Sequence, residues 1–515
     1  FNKVWEHWLG NIRPWCISRQ LWWGHRIPVY YIEGSNEADF VVAKSEAEAY
    51  AIAQEKYGQD VKLRQDPDVL DTWFSSGLWP FSTLGWPDDT ADLRRFYPTT
   101  VMETGYDIIF FWVARMVMQG LLFTNDIPFE TIYLHGLVRD EHGKKMSKST
   151  GNVIDPLEVT ANYGTDALRF TLLTGGSPGN DMNLAVSKVE SNRNFANKIW
   201  NVARFIVANL GKAEEGKREK GKGEKEELTA ADVWILTRLR EVTGQANRLL
   251  DAFNFGEAGG QGYDFLWGEF ADWYIEIAKV QLNESASRAY MTLSVLQRVL
   301  DDGLRLLHPF IPFVTEETWQ QLKAAFVASG LGIAPKGGWP EALIIADWPQ
   351  SREVSEGQRG ISAEFTRLQE LISKIRAARA EAKVPPSKRI AATIVAGEKV
   401  KFARSQAGVI AALARIDSDN LAIVATADAP SNAVTISLGD YTIYLPLAGM
   451  VDLEKEKARL EKEAVNMAKE IKRLTGLLNS PFAQKAPAAV VQKEKDKLAL
   501  LEKSSAEIAQ RLAVM

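Results

Sequence analysis

The sequence predicts a multidomain protein: an α/β unit, then an all-α stretch, then a small α/β module and an antiparallel coiled-coil arm. Three observations carry this. Short apolar runs such as Ile27 to Ile32 and Thr131 to Val138 alternate with longer helical patterns up to about Asp155, as α/β architecture does. Beyond Tyr163 the periodicity turns helical, with Phe195, Ile199, Val202, Phe205 and Ile206 sharing one face. Near the carboxyl end Leu453, Leu460, Met467 and Leu474 recur every seven residues.

At 515 residues, 46% hydrophobic and 25% charged, the chain can build several cores of ordinary soluble composition. No apolar run is expected to reach the roughly 20 residues of a membrane helix, so no membrane partner is expected. The lone cysteine, Cys16, excludes a disulfide framework and a multi-thiolate zinc knuckle, and it fits a reducing, cytoplasmic setting. A net charge of −5 argues against a uniformly basic coat for nucleic acid but leaves room for local basic faces. A start at Phe1, without Met and inside a Trp-rich segment, leads to the expectation of a missing upstream part.

Residues 1–153 read as the second part of a larger α/β domain, interrupted over 33–64 by an Ala/Glu-rich insertion carrying one helix. Residues 154–190 connect it to a helical bundle over 191–350. Within the bundle, Gly211 to Glu227 (GKAEEGKREKGKGEKEE) lacks apolar anchors and reads as a mobile loop. Pro309, Pro312 and the cluster Gly330 to Pro340 mark turns. Over 351–450 a helix from about Ser362 to Lys383 stops before Val384-Pro385-Pro386, because a residue preceding proline is pushed out of helical geometry. Strand-like runs follow at Ala391 to Val395, Ala422 to Ala425, Ala433 to Leu438 and Tyr441 to Leu445. In 451–515 a break from Asn479 to Pro487 separates two heptad-bearing helices, the second carrying Leu498, Leu501, Ile508, Leu512 and Met515.

Candidate chemistry concentrates in Gly143 to Asn152 (GKKMSKSTGN), where three lysines and three hydroxyls lie between glycines that permit tight turns. An ammonium fixed near a polyphosphate stabilises the charge that grows as pyrophosphate leaves. Taken alone, the stretch equally describes a solvated surface loop. Its context favours chemistry: His135-Gly136 ends the apolar run Ile132-Tyr133-Leu134 just upstream, which places the loop at the carboxyl edge of a sheet, where open α/β folds bind ligands. Asp107 precedes Ile108 and Trp112 at helical spacing. A carboxylate beside a small apolar wall suits an α-ammonium with a branched aliphatic side chain, although such spacing by itself more often marks core.

The loop Lys145-Met146-Ser147-Lys148-Ser149 is similar at all five positions to the KMSKS motif of class I aminoacyl-tRNA synthetases. Asp68 to Ser76 (DVLDTWFSS), Glu103 to Trp112 (ETGYDIIFFW), Trp15 to Pro28 (WCISRQLWWGHRIP), Asn194 to Trp200 (NFANKIW) and the terminal hairpin resemble the valine-specific family over essentially the whole chain. The resemblance implies a partial Rossmann-type catalytic domain, a stem-contact segment, an anticodon-binding bundle, a junction module and a tRNA-binding arm. It implies a valine–tRNA ligase, which activates valine with ATP and transfers it to its tRNA.

By the same resemblance Lys148 contacts ATP during catalysis and Lys145 assists, with Ser147, Ser149, His135 and Gly136 also at the nucleotide and Glu103 and Gly105 at the adenylate ribose. Asp107 would hold the valine ammonium, with Trp73, Ile108 and Trp112 around the isopropyl group. Arg193, Lys198 and Arg204 would meet tRNA phosphates. Phe205 reads equally as core or as a ring stacked on an anticodon base. Magnesium would arrive with ATP, held by phosphates and water.

No structural zinc is expected: Tyr31 to Gly34 offers no thiolate, and His7, His25 and His142 are scattered. A monomer is expected. The family edits because an apolar pocket rejects threonine poorly, the valine enzymes being the known instance. This chain carries no His-x-Gly-His pattern and is expected to lack the editing domain, so alone it is expected to be inactive. Two alternatives stand beside this: a non-catalytic tRNA-binding split half or paralogue, and an isoleucine- or leucine-type synthetase.

Overall fold

The computed structural model describes residues 1–35, 39–214, 227–430, 432–446 and 453–480, and within the last segment 491–498, 501–502, 505 and 508–509; of 453–460 it describes the backbone alone. After β1 (Ser18–Arg19), the strands β2 (Val29–Ile32), β3 (Phe40–Val42) and β4 (Leu63–Gln65) form an antiparallel sheet in the order β3-β2-β4. The Glu46–Tyr57 helix packs on it, burying Ala49 and Ala53 against Tyr30 and Val41. Ser45 caps that helix by accepting from the Glu48 N–H. The expected insertion is therefore a small α/β body whose first strand lies before residue 33. β5 (Val69–Leu70) returns to pair with β1.

The next two strands position the candidate site. β6 (Thr99–Gly105) and β7 (Phe129–His135) run parallel, so Glu103 faces Tyr133 and Gly105 faces His135. A parallel pair needs a crossover. Here it is a 3-10 turn at Tyr106–Ile108, a π-helical turn at Ile109–Val113 and an α-helix at Ala114–Thr124. The regular helix expected from Asp107 onward is replaced by these three geometries. Val113 and Met116 pack on Met102 and Phe129, each burial worth about 2 kcal/mol. Joined end to end, Tyr106–Thr124 reaches 19 residues at mean hydropathy 1.4, long and apolar enough to cross a membrane. That corrects the expectation of no such run. The stretch carries Asp107 and Arg115, however, and its buried face covers the β6–β7 pair.

β8 (Val138–Arg139) leaves that pair after Gly136 and joins β9 (Met182–Asn183) in parallel. Between them the helices Pro156–Tyr163 and Thr165–Gly175 bury Val159, Ala167 and Leu168 against Met182, Leu184 and Val189.

The helices Val186–Ala208, Ala230–Asp251, Phe255–Asp264, Ile275–Gln281, Ala286–Leu307 and Pro312–Ser329 share one core around Phe195, Ile206, Ile235, Leu300 and Trp319. A π-helical stretch, Phe265–Tyr274, joins the third to the fourth. Pro312 occupies a first-turn position, where its missing N–H is no loss, and Asp166 caps the same helix from outside by accepting from Val314 N–H at 2.6 Å. Most of the loop read from Gly211 to Glu227 lies outside the described residues.

The junction helix is Glu356–Glu381; it starts earlier than expected because Ser355 and Gln358 form a capping box. Beyond it β10 (Ile390–Val395), β11 (Ile416–Val424), β12 (Ala433–Leu438) and β13 (Tyr441–Pro446) form a mixed sheet ordered β11-β10-β13-β12. β11 begins before the expected Ala422, with Ile416 opposite Ile390; its polar residues Asp417 to Asn420 form an irregularity, and parallel pairing to β10 resumes at Leu421. In the arm, the Leu453–Leu478 helix buries Leu474, and Lys497 reaches Glu470 at 3.3 Å, which brings the helix at 491–498 alongside. The break expected up to Pro487 lies, from residue 481 on, outside the described residues, as do Leu512 and Met515.

Candidate active site

At the carboxyl ends of β6 and β7, Glu103, Gly105, Asp107 and His135 come together. The His135 Nε2 lies 3.4 Å from the Glu103 Oε1. A methyl on Gly105 would stand 2.7 Å from Asp107 Oδ1 and 3.5 Å from His135 Cε1, so any side chain there would displace the Asp107 carboxylate. Gly136 is more tightly held: a Cβ there would be 1.8 Å from the Asn180 carbonyl oxygen. The turn at 177–181 crosses it, with Gly179 N–H donating to the Leu134 carbonyl at 2.8 Å.

Asp181, absent from the sequence prediction, organises this crossing. It accepts from Leu137 N–H at 2.8 Å, pairs with Arg139, and receives the Tyr106 hydroxyl at 3.4 Å. The Leu137 N–H first, then Arg139, hold its carboxyl below the usual range. Asp181 thereby ties the Asp107 turn to the strand that leads into the lysine-rich loop.

The loop itself is a short hairpin, Arg139 bridging Lys145 across a turn in which Gly143 adopts φ +79°. Asp140 accepts from the N–H groups of His142 (3.1 Å) and Lys144 (2.8 Å) and from Asn152 Nδ2 (2.8 Å). The Asn152 bond is the chief reason its carboxyl sits below the ordinary value. Asn152 Oδ1 accepts from Ser147 N–H at 3.0 Å, and its Nδ2 donates to the Lys145 carbonyl at 3.3 Å. Ser147 Oγ meets the hydroxyls of Ser149, at 3.1 Å, and Thr150. Met146 packs on the small core of Val159 and Leu168. Lys145 and Lys148 are exposed, and among the described residues neither ammonium has a carboxylate partner. A rigid backbone thus presents two unneutralised cations.

The residues predicted to hold a side chain separate into two places. Trp112 donates from Nε1 to the Ser76 carbonyl at 3.1 Å, lies 6.0 Å from Trp79, and lines a cavity of about 600 Å³ shared with Glu103 and Met102. Trp73 stacks on Phe111 at 6.1 Å and lines a different cavity. Ile108 is half-buried where the 3-10 turn meets the π turn. Among the described residues no group of three His, Cys, Asp or Glu side chains is placed to hold a metal.

On the Val186–Ala208 helix, Arg193 pairs with Glu190 at 3.0 Å and Lys198 with Asp272 at 2.9 Å. Arg204 and the half-buried Phe205 line a groove of about 750 Å³ against the Pro312–Ser329 helix, and the Lys279 ammonium stands 5.9 Å from the Phe205 ring. The structure groups Arg204 with Phe205 and leaves Arg193 and Lys198 outside that groove.

A model of class I tRNA synthetases (I, L, M and V) matches residues 1–185, the anticodon-binding domain of tRNA ligases matches 232–395, and the valyl-tRNA synthetase tRNA-binding arm matches 452–515. The valine–tRNA ligase of Carboxydothermus hydrogenoformans is 44% identical over 100% of this chain and 56% of its own length. That of Dehalococcoides mccartyi strain CBDB1 is 47% identical over 97% of this chain and 54% of its own. A solved Mycobacterium tuberculosis methionyl-tRNA synthetase bound by methionyl-adenylate overlaps 66% of this chain and 61% of its own, with 21% identity and a TM-score of 0.48. The chain spans a little over half the length of the curated relatives it matches. It belongs to the valyl-tRNA synthetase family of the class I aminoacyl-tRNA synthetases.

Proposed function

We propose that this chain supplies the second part of a valine–tRNA ligase active site together with the tRNA-binding domains of that enzyme, in a cytoplasmic monomer. The observation that carries the proposal is the ordered lysine-rich loop, with Lys145 and Lys148 unneutralised, standing after a strand pair whose ends gather Glu103, Gly105, Asp107 and His135. Two unneutralised ammonium groups on a hydrogen-bonded loop suit the β- and γ-phosphates of ATP, whose negative charge grows toward the leaving pyrophosphate as the valine carboxylate attacks the α-phosphorus. Magnesium enters with ATP as part of that substrate.

Ser147, Ser149 and Gly136 line the nucleotide, with His135, Glu103 and Gly105 at its ribose. Asp107 holds the valine ammonium, and Ile108 and Trp112 take the isopropyl group. Trp73 belongs to the same set by family resemblance alone, since it stacks on Phe111 in the other cavity. Arg204 with Phe205 receives the anticodon loop, Arg193 and Lys198 the neighbouring phosphates, residues 154–190 the stem, and the arm the body of the tRNA.

The test joins this chain in frame to the upstream half of a related ligase and measures valine-dependent exchange of pyrophosphate into ATP. Lys148→Ala is expected to slow exchange about 100- to 1,000-fold, the cost of removing one preorganised charge partner, while tRNA affinity stays near its starting value. Equal losses in exchange and tRNA binding would sink the assignment.

A further inference from the structure

The α/β part contains a second cavity, which the ligase reading touches only through Trp73. It measures about 800 Å³ and is bounded by the Asn2–Gly10 helix, the stretch from Arg13 to Arg19 and the π-helical turn. Trp8, Trp15, Trp73 and Phe110 form its walls. Three arginines, Arg13, Arg19 and Arg115, line it against a single lining carboxylate, Asp71.

That carboxylate is already engaged. Asp71 accepts from Trp15 Nε1 at 3.1 Å and from Trp73 N–H at 3.2 Å, and it pairs with Arg19. Arg115 has no comparable partner. It is 6% exposed, its guanidinium carbon lies 4.0 Å from the centre of the Trp15 ring and 5.0 Å from that of Phe110, and among the described residues its N–H groups meet neither a hydrogen-bond acceptor nor an ion-pair carboxylate. Ring faces attract the cation without satisfying the directional N–H donors of a guanidinium. Asp71 acts on this guanidinium through charge without a hydrogen bond, which leaves its directional donors open to an anion entering the cavity.

We propose that this cavity binds a nucleoside monophosphate, with the phosphate forked onto Arg115 and the base laid on the aromatic wall. The planar fork of arginine matches two phosphate oxygens, and three cations against one spoken-for carboxylate suit a dianion. The rings of Trp8, Trp15 and Phe110 provide the stacking surface that bases of any sequence accept. The inference goes beyond the ligase reading and rests on neither the lysine-rich loop nor the strand ends; of the residues assigned there, only Trp73 lines this cavity.

The probe is cytidine monophosphate, a pyrimidine chosen to avoid an adenine site, added to the 515-residue chain while tryptophan fluorescence is followed. Saturable quenching is expected. Arg115→Met, which keeps the length and apolar stem, should weaken the apparent affinity by about tenfold or more, the equivalent of about 1.4 kcal/mol. Arg115→Lys should recover part of the loss, and Lys148→Ala should leave the affinity unchanged. Inorganic phosphate should compete more weakly than the nucleotide. The proposal is overturned by absent quenching, by unchanged affinity in Arg115→Met, or by phosphate competing as well as the nucleotide. Should Arg115→Met unfold in a thermal melt, the exposed Arg13→Ala replaces it, and unchanged affinity there overturns the proposal equally.

Discussion

Gly136 has no room for a single added carbon, since its Cβ would fall on the Asn180 carbonyl. Backbone must move to admit it, so Gly136→Ala is expected to lower stability by about 3 kcal/mol, measured as a reduced Tm by calorimetry. An unchanged Tm would mean that the turn at 177–181 yields freely. Asn152 is the corresponding polar hub: one amide side chain closes the loop against Asp140, Ser147 and Lys145. Asn152→Ala should leave the global Tm nearly unchanged yet slow pyrophosphate exchange in the completed enzyme about tenfold, because the lysines lose their fixed platform. Sequence resemblance places Gly136 at the nucleotide but gives neither Asn152 nor Asp181 a role. Lysines between glycines are recognisable wherever they occur, whereas Asn152 and Asp181 matter only through partners that the folded backbone brings to them.

Among the elements, the Ala286–Leu307 helix carries Asp301 and Asp302 side by side within the bundle. Burial pushes Asp302 from the ordinary 3.8 up to about 6, although Arg298 lies 2.8 Å away. The folded state therefore holds its proton to higher pH than the unfolded chain does. Stability contributed by this group is present at low pH and is lost as pH rises between about 4 and 6, by up to about 3 kcal/mol, with no further change above. Asp302→Asn should flatten that part of the Tm-against-pH curve; an identical curve would mean that another group sets it. In the arm, Leu474 is fully buried, as its heptad position predicted. Leu474→Ala should cost about 2–5 kcal/mol locally, seen as faster amide exchange over Leu453–Leu478 while the bundle keeps its protection. Element types followed from periodicity and proline, but the capping box at Ser355 set the start of its helix, and pairing of Ile416 with Ile390 started β11 ahead of a polar irregularity that no period marks.

Across the whole molecule, the α/β part and the bundle are joined by bonds that cross between them: Asp166 to the N–H of Val314, and Arg169 to the carbonyls of Pro309 and Phe310. The arm makes its described contacts with itself. Deleting 452–515 from the completed enzyme is accordingly expected to weaken tRNA binding about tenfold while leaving valine-dependent exchange intact. A fall in exchange of the same size would show that the arm also supports the catalytic part.

The sequence by itself determined the chemistry on offer and the local periods: ammonium groups between glycines, leucines every seven residues, a helix stopped before paired prolines. Those signals span a few residues and need no partner to be read. Tertiary structure alone decided which atoms meet. It set Asp107 against Gly105 and His135, sent Trp73 and Trp112 to separate cavities, and left Arg115 among rings without a hydrogen-bonded carboxylate. The physical reason is range: such juxtapositions depend on how segments tens of residues apart pack, and a parallel strand pair with its three-part helical crossover fixes them where no local pattern can.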